Sequence, residues 1–240
     1  MRNAECGMRN KNAAVSATNS FRTPHSALRT PLAFTLIELL VVISIMAILA
    51  GFTLMVLGGI KKRQYLNTAT AQLHQIETAL DNYKAKYGVY PPGNANNPLL
   101  SQLYYELSGT AINGVNFVTL DGSSQIKIVD VQTAYGVGGF INCSKGSGEE
   151  AQVAKNFLPS LPPNRFNLYV TNNGIQTAML VTSVGGPDQN YQPLNAAGLN
   201  PFRYAYPGTN NPSTYDLWID LSISGKTNRI GNWGSGRQIL

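Results

Sequence analysis

The sequence predicts an α+β protein in which one long N-terminal helix is followed by a β-rich C-terminal domain. Residues 34–60 are almost wholly apolar. After them, apolar residues recur at spacings of three and four up to Tyr87, which is the pattern of an amphipathic helix. Beyond residue 89, short apolar runs alternate with Gly, Asn, Pro and Ser, as is typical of strands and turns. The chain therefore divides into segments 1–33, 34–60, 61–88 and 89–240.

The first 33 residues are predicted to be a disordered cytoplasmic segment. They are rich in Asn, Ser, Thr and Ala and carry five basic residues against one acidic residue, and they lack apolar periodicity. Positive charge before an apolar run favours retention on the cytoplasmic side. The whole chain has a net charge of +6, of which residues 34–240 contribute 13 basic and 11 acidic residues. This near balance disfavours binding to nucleic acid.

Residues 34–60 are predicted to form a membrane-spanning helix. Such a span needs about 20 apolar residues, and the basic residues Lys61, Lys62 and Arg63 close the run. Glu38 interrupts the apolar pattern near its start. Because a carboxylate in hydrocarbon costs about 2.5–3.5 kcal/mol, a glutamate in this segment predicts a functional role.

The residues around position 34 form a distinctive motif, AFTLIE at 33–38 followed by LLVV. It resembles the cleavage and methylation site of type IV pilins and type II secretion pseudopilins. The resemblance implies that a membrane peptidase cuts between Ala33 and Phe34, removes the leader 1–33 and methylates the new amine of Phe34. Ala33 departs from the family, which usually has Gly at that position.

The same resemblance implies that Glu38, the fifth residue after the cut, acts in assembly. Pairing of Glu38 with the amine of a neighbouring subunit's Phe34 would offset part of the cost of burying both charges. It would also set the axial register of a filament. The implied partners are the prepilin peptidase and methyltransferase, other pseudopilins or copies of the chain, and an inner-membrane assembly platform.

The resemblance also implies a fold and a location. In a pilin-like fold, the first half of a long helix spans the membrane and the second half packs on a C-terminal antiparallel sheet. The chain would then be a single-pass protein of the bacterial inner membrane before it joins a filament. Its N-terminus would be cytoplasmic and its globular domain, residues 89–240, periplasmic.

The second half of the helix and the start of the domain follow from residue patterns. An apolar stripe is predicted to face the domain core, with Gly88 ending the helix. The members of the stripe are Leu66, Ala69, Leu73, Ile76, Leu80, Tyr83 and Tyr87. Beyond it, residues 99–107 predict a short helix, and residues 115–120, 125–131, 167–170 and 176–183 predict strands.

The C-terminal stretch from residue 200 to Trp233 resembles the last sheet of the major type II pseudopilin. In that family a loop in this sheet binds calcium, and here Asp216, Asp220 and Asn228 are the candidate ligands. The matching loop, residues 221–228, has no carboxylate and contains Lys226. Since calcium takes six to eight oxygen ligands, usually including carboxylates, this composition disfavours calcium. The alternative is that Asp220 and Asn228 only shape a turn.

No pattern predicts an enzyme or a cofactor other than that calcium. His25 and Cys6 lie in the leader, which leaves His74 and Cys143 without a partner at a useful spacing. Phosphate-binding loops and nucleophile elbows are not found in the sequence. The expected function is therefore a pseudopilin subunit of a type II secretion-type filament that drives protein export. Two alternatives are a type IV pilin for adhesion, motility or DNA uptake, and a membrane-anchored surface-binding domain that never polymerises.

Overall fold

A computed structural model of the chain describes residues 35–94, 96–146, 152–185, 187–188 and 190–240, with the backbone alone for residues 53–59. The chain forms two compact units, Met1–Gly51 and Phe52–Leu240. Among the described residues the architecture is α+β, with four helices and three sheets.

Helix α1, Leu36–Tyr87, is the longest element at 52 residues. It ends at Gly88, which has a positive φ of 78° and whose N–H donates to the carbonyl of Lys84 at 2.7 Å. A glycine is favoured here because a left-handed backbone costs it little. Pro91 and Pro92 follow, and neither has the N–H that a continued helix would need.

No helix in the described part of the chain is both long enough and apolar enough to cross a membrane. Helix α1 is mixed in character, with Glu38 in its first turn and basic and polar residues from Lys61 onward. The predicted membrane span over 34–60 and the predicted single-pass inner-membrane location are therefore wrong.

The second part of α1 lies in the core of the C-terminal unit. The apolar stripe falls on the buried face of the helix, and Tyr87 is partly buried against the same core. Complete burial of a large aliphatic side chain contributes roughly 1.5–3 kcal/mol. The helix therefore provides one wall of the core. The fully covered positions are Leu66, Ala69, Leu73, Ile76, Leu80 and Tyr83.

Three sheets pack in this unit. Their strands are β1 Thr110–Asn113, β2 Asn116–Thr119, β3 Gln125–Lys127, β4 Cys143–Ser144, β5 Phe166–Val170, β6 Gln176–Leu180, β7 Arg203–Ala205, β8 Asp216–Ile223, β9 Lys226–Gly231 and β10 Arg237–Ile239. The first sheet has the order β3-β2-β1-β4, and β4 pairs with β1 in parallel while the other pairs are antiparallel. The second is the hairpin β5-β6, and the third has the antiparallel order β10-β9-β8-β7.

Two short α-helices and a 3-10 turn lie between these elements along the chain. They are α2 Leu103–Ser108, α3 Ile128–Tyr135 and the turn Pro163–Arg165. Helix α3 lies where a strand was predicted over 125–131, because β3 ends after three residues. Val131, Ala134 and Tyr135, at helical spacing, are buried on one face of α3, and this burial favours the helix.

The predicted pilin-like fold, with one antiparallel sheet packed on a membrane-spanning helix, is wrong. The described strands form three separate sheets, and one strand pair is parallel. The long helix is also not an apolar one. The sequence patterns predicted individual strands, but strand pairing depends on contacts between distant segments that periodicity does not reveal.

A buried carboxylate ties these elements together. Glu106 of α2 is 0% exposed and accepts hydrogen bonds from the Tyr83 hydroxyl and from the N–H groups of Ile141 and Asn142, each at 2.9 Å. The Asn142 amide donates to the Glu106 carbonyl at 2.6 Å. Burial raises the pKa of Glu106, and the three donors partly oppose that effect. Helices α1 and α2 and the segment before β4 are thus joined through one side chain.

Glu106→Gln is expected to lower the free energy of unfolding by about 2–4 kcal/mol. The amide would keep one acceptor oxygen, so at least one of the buried donors around it would lose its partner, at about 1–3 kcal/mol each. Urea unfolding of the full chain in a mild detergent measures this change. Tyr83→Phe is the matched control, because it removes one donor and leaves the carboxylate intact, and it should cost about 1 kcal/mol. Equal losses in the two variants would contradict the central role of Glu106.

The pH dependence of the same variant gives a second readout. Because the folded-state pKa of Glu106 is raised above its ordinary value of 4.5, the folded state holds this proton more tightly than the unfolded state. Stability of the wild type should therefore fall, relative to Glu106→Gln, as pH rises from about 4.5 through the raised pKa. A difference between the two proteins that does not change with pH would contradict this assignment.

Candidate functional site

Residues 36–52 of α1, here called the apolar segment, expose large apolar side chains on every side of the helix. Because successive residues of a helix are rotated by about 100°, twelve such residues within 17 positions leave no polar face. Their exposed fractions run from 44% to 81%. They are Leu36, Ile37, Leu39, Leu40, Val41, Val42, Ile43, Ile45, Met46, Ile48, Leu49 and Phe52.

A capping box begins this segment. The N–H and the hydroxyl of Thr35 donate to Oε2 of Glu38 at 2.9 and 2.8 Å, and the Glu38 N–H donates to the Thr35 hydroxyl at 3.3 Å. These two side chains satisfy groups that a helix start leaves unpaired. The bonds from Thr35 lower the pKa of Glu38, so the carboxylate is charged, which favours the positive end of the helix.

Glu38 therefore has a local role beside the one predicted from its position. The bonds within the capping box use Oε2, and Oε1 accepts no hydrogen bond from any residue that the structure describes. A carboxylate oxygen has two lone pairs for further donors. Ala33 and Phe34 lie outside the described residues, so cleavage and methylation at that position stay predictions.

Asp216, the first candidate calcium ligand, organises a loop of the protein itself. Its Oδ2 accepts the N–H groups of Thr209 and Asn210 at 2.9 and 2.8 Å, and its Oδ1 accepts the N–H of Asn211 at 2.9 Å. The side chain is buried at the start of β8. Backbone donors therefore satisfy the charge of Asp216.

Asp220 and Asn228, the other two candidates, also have protein partners. Arg229 donates from Nε to Oδ1 of Asp220 at 2.7 Å and from Nη2 to Oδ2 at 2.9 Å, and Arg203 Nε lies 3.7 Å from Oδ2. The Asn228 amide donates to the carbonyl of Lys226 at 3.0 Å. Asp220 is thus paired with two guanidinium groups.

These three residues do not converge on one point. Asp216 and Asp220 are four positions apart on β8, or about 13 Å along a strand, whereas calcium ligands lie about 2.3–2.6 Å from the ion. Within the described ranges, no group of three or more His, Cys, Asp or Glu residues could hold a metal ion. The donor set does not fit calcium, and a calcium site at these residues stays a prediction without geometric support.

Sequence reasoning missed several of these contacts. The Thr35–Glu38 box was visible as Thr-x-x-Glu before an apolar run, which is a known start signal of helices. The Asp220–Arg229 pair depends on the register of β8 against β9, and no local pattern shows that register.

The structure also places the two residues considered as catalytic candidates. His74 forms an exposed pair with Glu77, at 2.6 Å between Nδ1 and Oε2, and Cys143 is buried.

Comparison with known proteins finds no match, whether among protein-family models, curated proteins or solved structures. The resemblance to pseudopilins is therefore carried by the motif around Phe34 and by the C-terminal stretch alone.

Thr35→Ala is expected to loosen the start of α1, because a capping threonine satisfies helix N–H groups that alanine cannot. Amide hydrogen exchange at residues 36–41 should become several-fold faster. Ser44→Ala is the matched control, since the Ser44 hydroxyl only donates to the Leu40 carbonyl one turn earlier, at 2.8 Å. Equal exchange in the wild type and Thr35→Ala would contradict the capping box.

Proposed function

We propose that the chain is a structural subunit that assembles through its apolar segment into a filament, as a pseudopilin of the type II secretion kind used in protein export. One observation carries the proposal, namely the exposure of large apolar side chains all around residues 36–52. The prepilin peptidase and methyltransferase would process the chain before Phe34. The resemblance of residues 200–233 to the major pseudopilin favours secretion over a type IV pilin.

The physical argument starts from the cost of leaving this surface in water. Full burial of each large aliphatic side chain contributes roughly 1.5–3 kcal/mol, and large exposed apolar patches mark interaction sites. A helix that is apolar on all sides needs neighbours on all sides. Several copies packed side by side provide them, and contacts between unlike surfaces of identical subunits continue into a filament when they do not close a ring.

Glu38 supports the same proposal through its charge. Once neighbouring helices surround the apolar segment, its carboxylate leaves water, and an unpaired buried charge is strongly unfavourable. The amine of a neighbour's Phe34, created by cleavage, is a partner of suitable charge for the open Oε1. Thr35 holds the carboxylate in place through Oε2. Pairing of this kind would fix the register between subunits.

Ile45→Asp is expected to abolish assembly, because a charge in the middle of the apolar segment would be buried without a partner. Chemical cross-linking after dilution from detergent should give a ladder of dimers, trimers and higher species for the wild type and monomers for the variant. Gln64→Asp is the matched control, since it adds the same charge at an exposed polar position of α1 and should keep the ladder. A ladder from Ile45→Asp, or monomers from the wild type, would overturn the proposal.

Processing is tested by the N-terminal mass of the protein from cells with and without prepilin peptidase. The expected product begins at N-methylated Phe34 when the peptidase is present and keeps residues 1–33 when it is absent. Glu38→Ala should be cleaved normally and assemble poorly. A chain that keeps its leader in both strains would refute the pseudopilin proposal and leave Glu38 with its capping role alone.

A further inference from the structure

A groove of about 580 Å³ lies between helix α1 and the loop that joins β9 to β10. Both of its walls belong to the C-terminal unit. The helix contributes Thr70, Leu73, His74 and Glu77, and the loop side contributes residues 230–237. A volume of this size is typical of a small-molecule site. The groove is open to solvent, because the His74 side chain is 68% exposed and Arg237 is exposed on the loop side.

The loop holds Trp233 in a fixed position in the wall of this groove. Asn232 anchors the loop to β8, since its Oδ1 accepts the N–H of Leu217 at 3.0 Å and its own N–H donates to the Leu217 carbonyl at 3.1 Å. The indole lies against Gly231, where a Cβ atom would come within 2.9 Å of the ring. Its centroid is 5.6 Å from that of Trp218, in a T-shaped contact. A side chain at position 231 would therefore displace the indole.

The polar groups around the indole are balanced in charge. Glu77 on α1 and Arg237 on β10 carry opposite charges, and both line the groove. His74 Nδ1 lies 2.6 Å from Oε2 of Glu77, so Nε2 of the imidazole and Oε1 of the carboxylate stay available to a group that enters the groove. Carboxylate, imidazole and guanidinium together offer both acceptors and donors. This lining favours an uncharged ligand with many hydroxyl groups.

A sugar ring has the properties that such a lining requires. One face of a pyranose carries C–H groups, which pack on the electron-rich face of an indole, and its rim carries hydroxyls that donate and accept hydrogen bonds. An anionic ligand would be repelled by Glu77, and a cationic one by Arg237. A purely apolar ligand would desolvate both charges without replacing their hydrogen bonds with water.

We propose that this groove binds a neutral saccharide chain, with one ring stacked on Trp233 and its hydroxyls bonded to Glu77 and His74. Because the groove is open to solvent, the chain can continue beyond the ring that is bound. The site lies on the C-terminal unit, away from the apolar segment, and the proposal does not rest on the proposed filament.

Calorimetric titration of the full chain tests the site, in a polyoxyethylene detergent whose head group contains no sugar. The probes are cellohexaose, chitohexaose and maltohexaose, which are neutral and differ in linkage or substituent. We expect saturable binding of at least one probe. Trp233→Ala should weaken that binding about tenfold or more, because the stacking surface is lost.

A second variant and its control do not disturb the indole. Glu77→Gln removes a charged acceptor from the groove and should also weaken binding. Asp81→Asn makes the same chemical change one turn further along α1, at an exposed position outside the groove, and should keep the affinity of the wild type. Trp218→Phe leaves Trp233 as the only tryptophan of the chain, so its fluorescence should change on saturation with the probe.

The outcomes separate a saccharide site from other uses of the groove. Binding of none of the three hexasaccharides would overturn the proposal, as would binding that Trp233→Ala and Glu77→Gln leave unchanged. A shortened cross-linked ladder for Trp233→Ala, without saccharide binding by the wild type, would also overturn it and make the groove a contact between subunits. A wild type that stays monomeric would remove the filament and leave the saccharide test valid.

Discussion

The C-terminal unit depends on the desolvated carboxylate of Glu106. Three donors converge on it from helix α1 and from the segment before β4, so none of these elements can move alone without leaving a buried polar group unpaired. The apolar stripe of α1 packs in the same core. The hydrogen bonds to Glu106 are directional, so they add a geometric requirement to that packing.

Apolar contacts could be predicted from the sequence better than polar contacts could. The buried face of α1 and its end at Gly88 followed from periodicity and from one glycine, because both are local. Strand β5 lay close to its predicted position for the same reason. Three other features depend on contacts with segments elsewhere in the chain. They are the helix α3 in place of a predicted strand, the parallel pairing of β1 with β4, and the ion pair between Asp220 and Arg229. The predicted membrane span over 34–60 rested on the apolar run alone, whereas no helix in the described part of the chain is long and apolar enough to cross a membrane.

Helix α1 serves two different environments with one continuous backbone. Its second part has an apolar face and a polar face, and the apolar face packs in the core of the C-terminal unit. Its first part, the apolar segment, has no polar face, and its side chains lie exposed. Folding of the C-terminal unit therefore satisfies only one part of the helix. The other part is held by its own backbone and by the capping box. Under the proposed assembly it would gain further stability from neighbouring subunits, and stability would then rise with protein concentration.

The capping box at the start of α1 has a consequence for proteolysis. All three of its hydrogen bonds are made by atoms of Thr35 and Glu38, and none requires a residue before Thr35. The proposed hydrolysis of the bond between Ala33 and Phe34 would thus leave these three hydrogen bonds in place. The new terminus would be tethered one residue from an already ordered turn. A maturation step could then change the charge and the partners of this end of the molecule while its secondary structure stays the same.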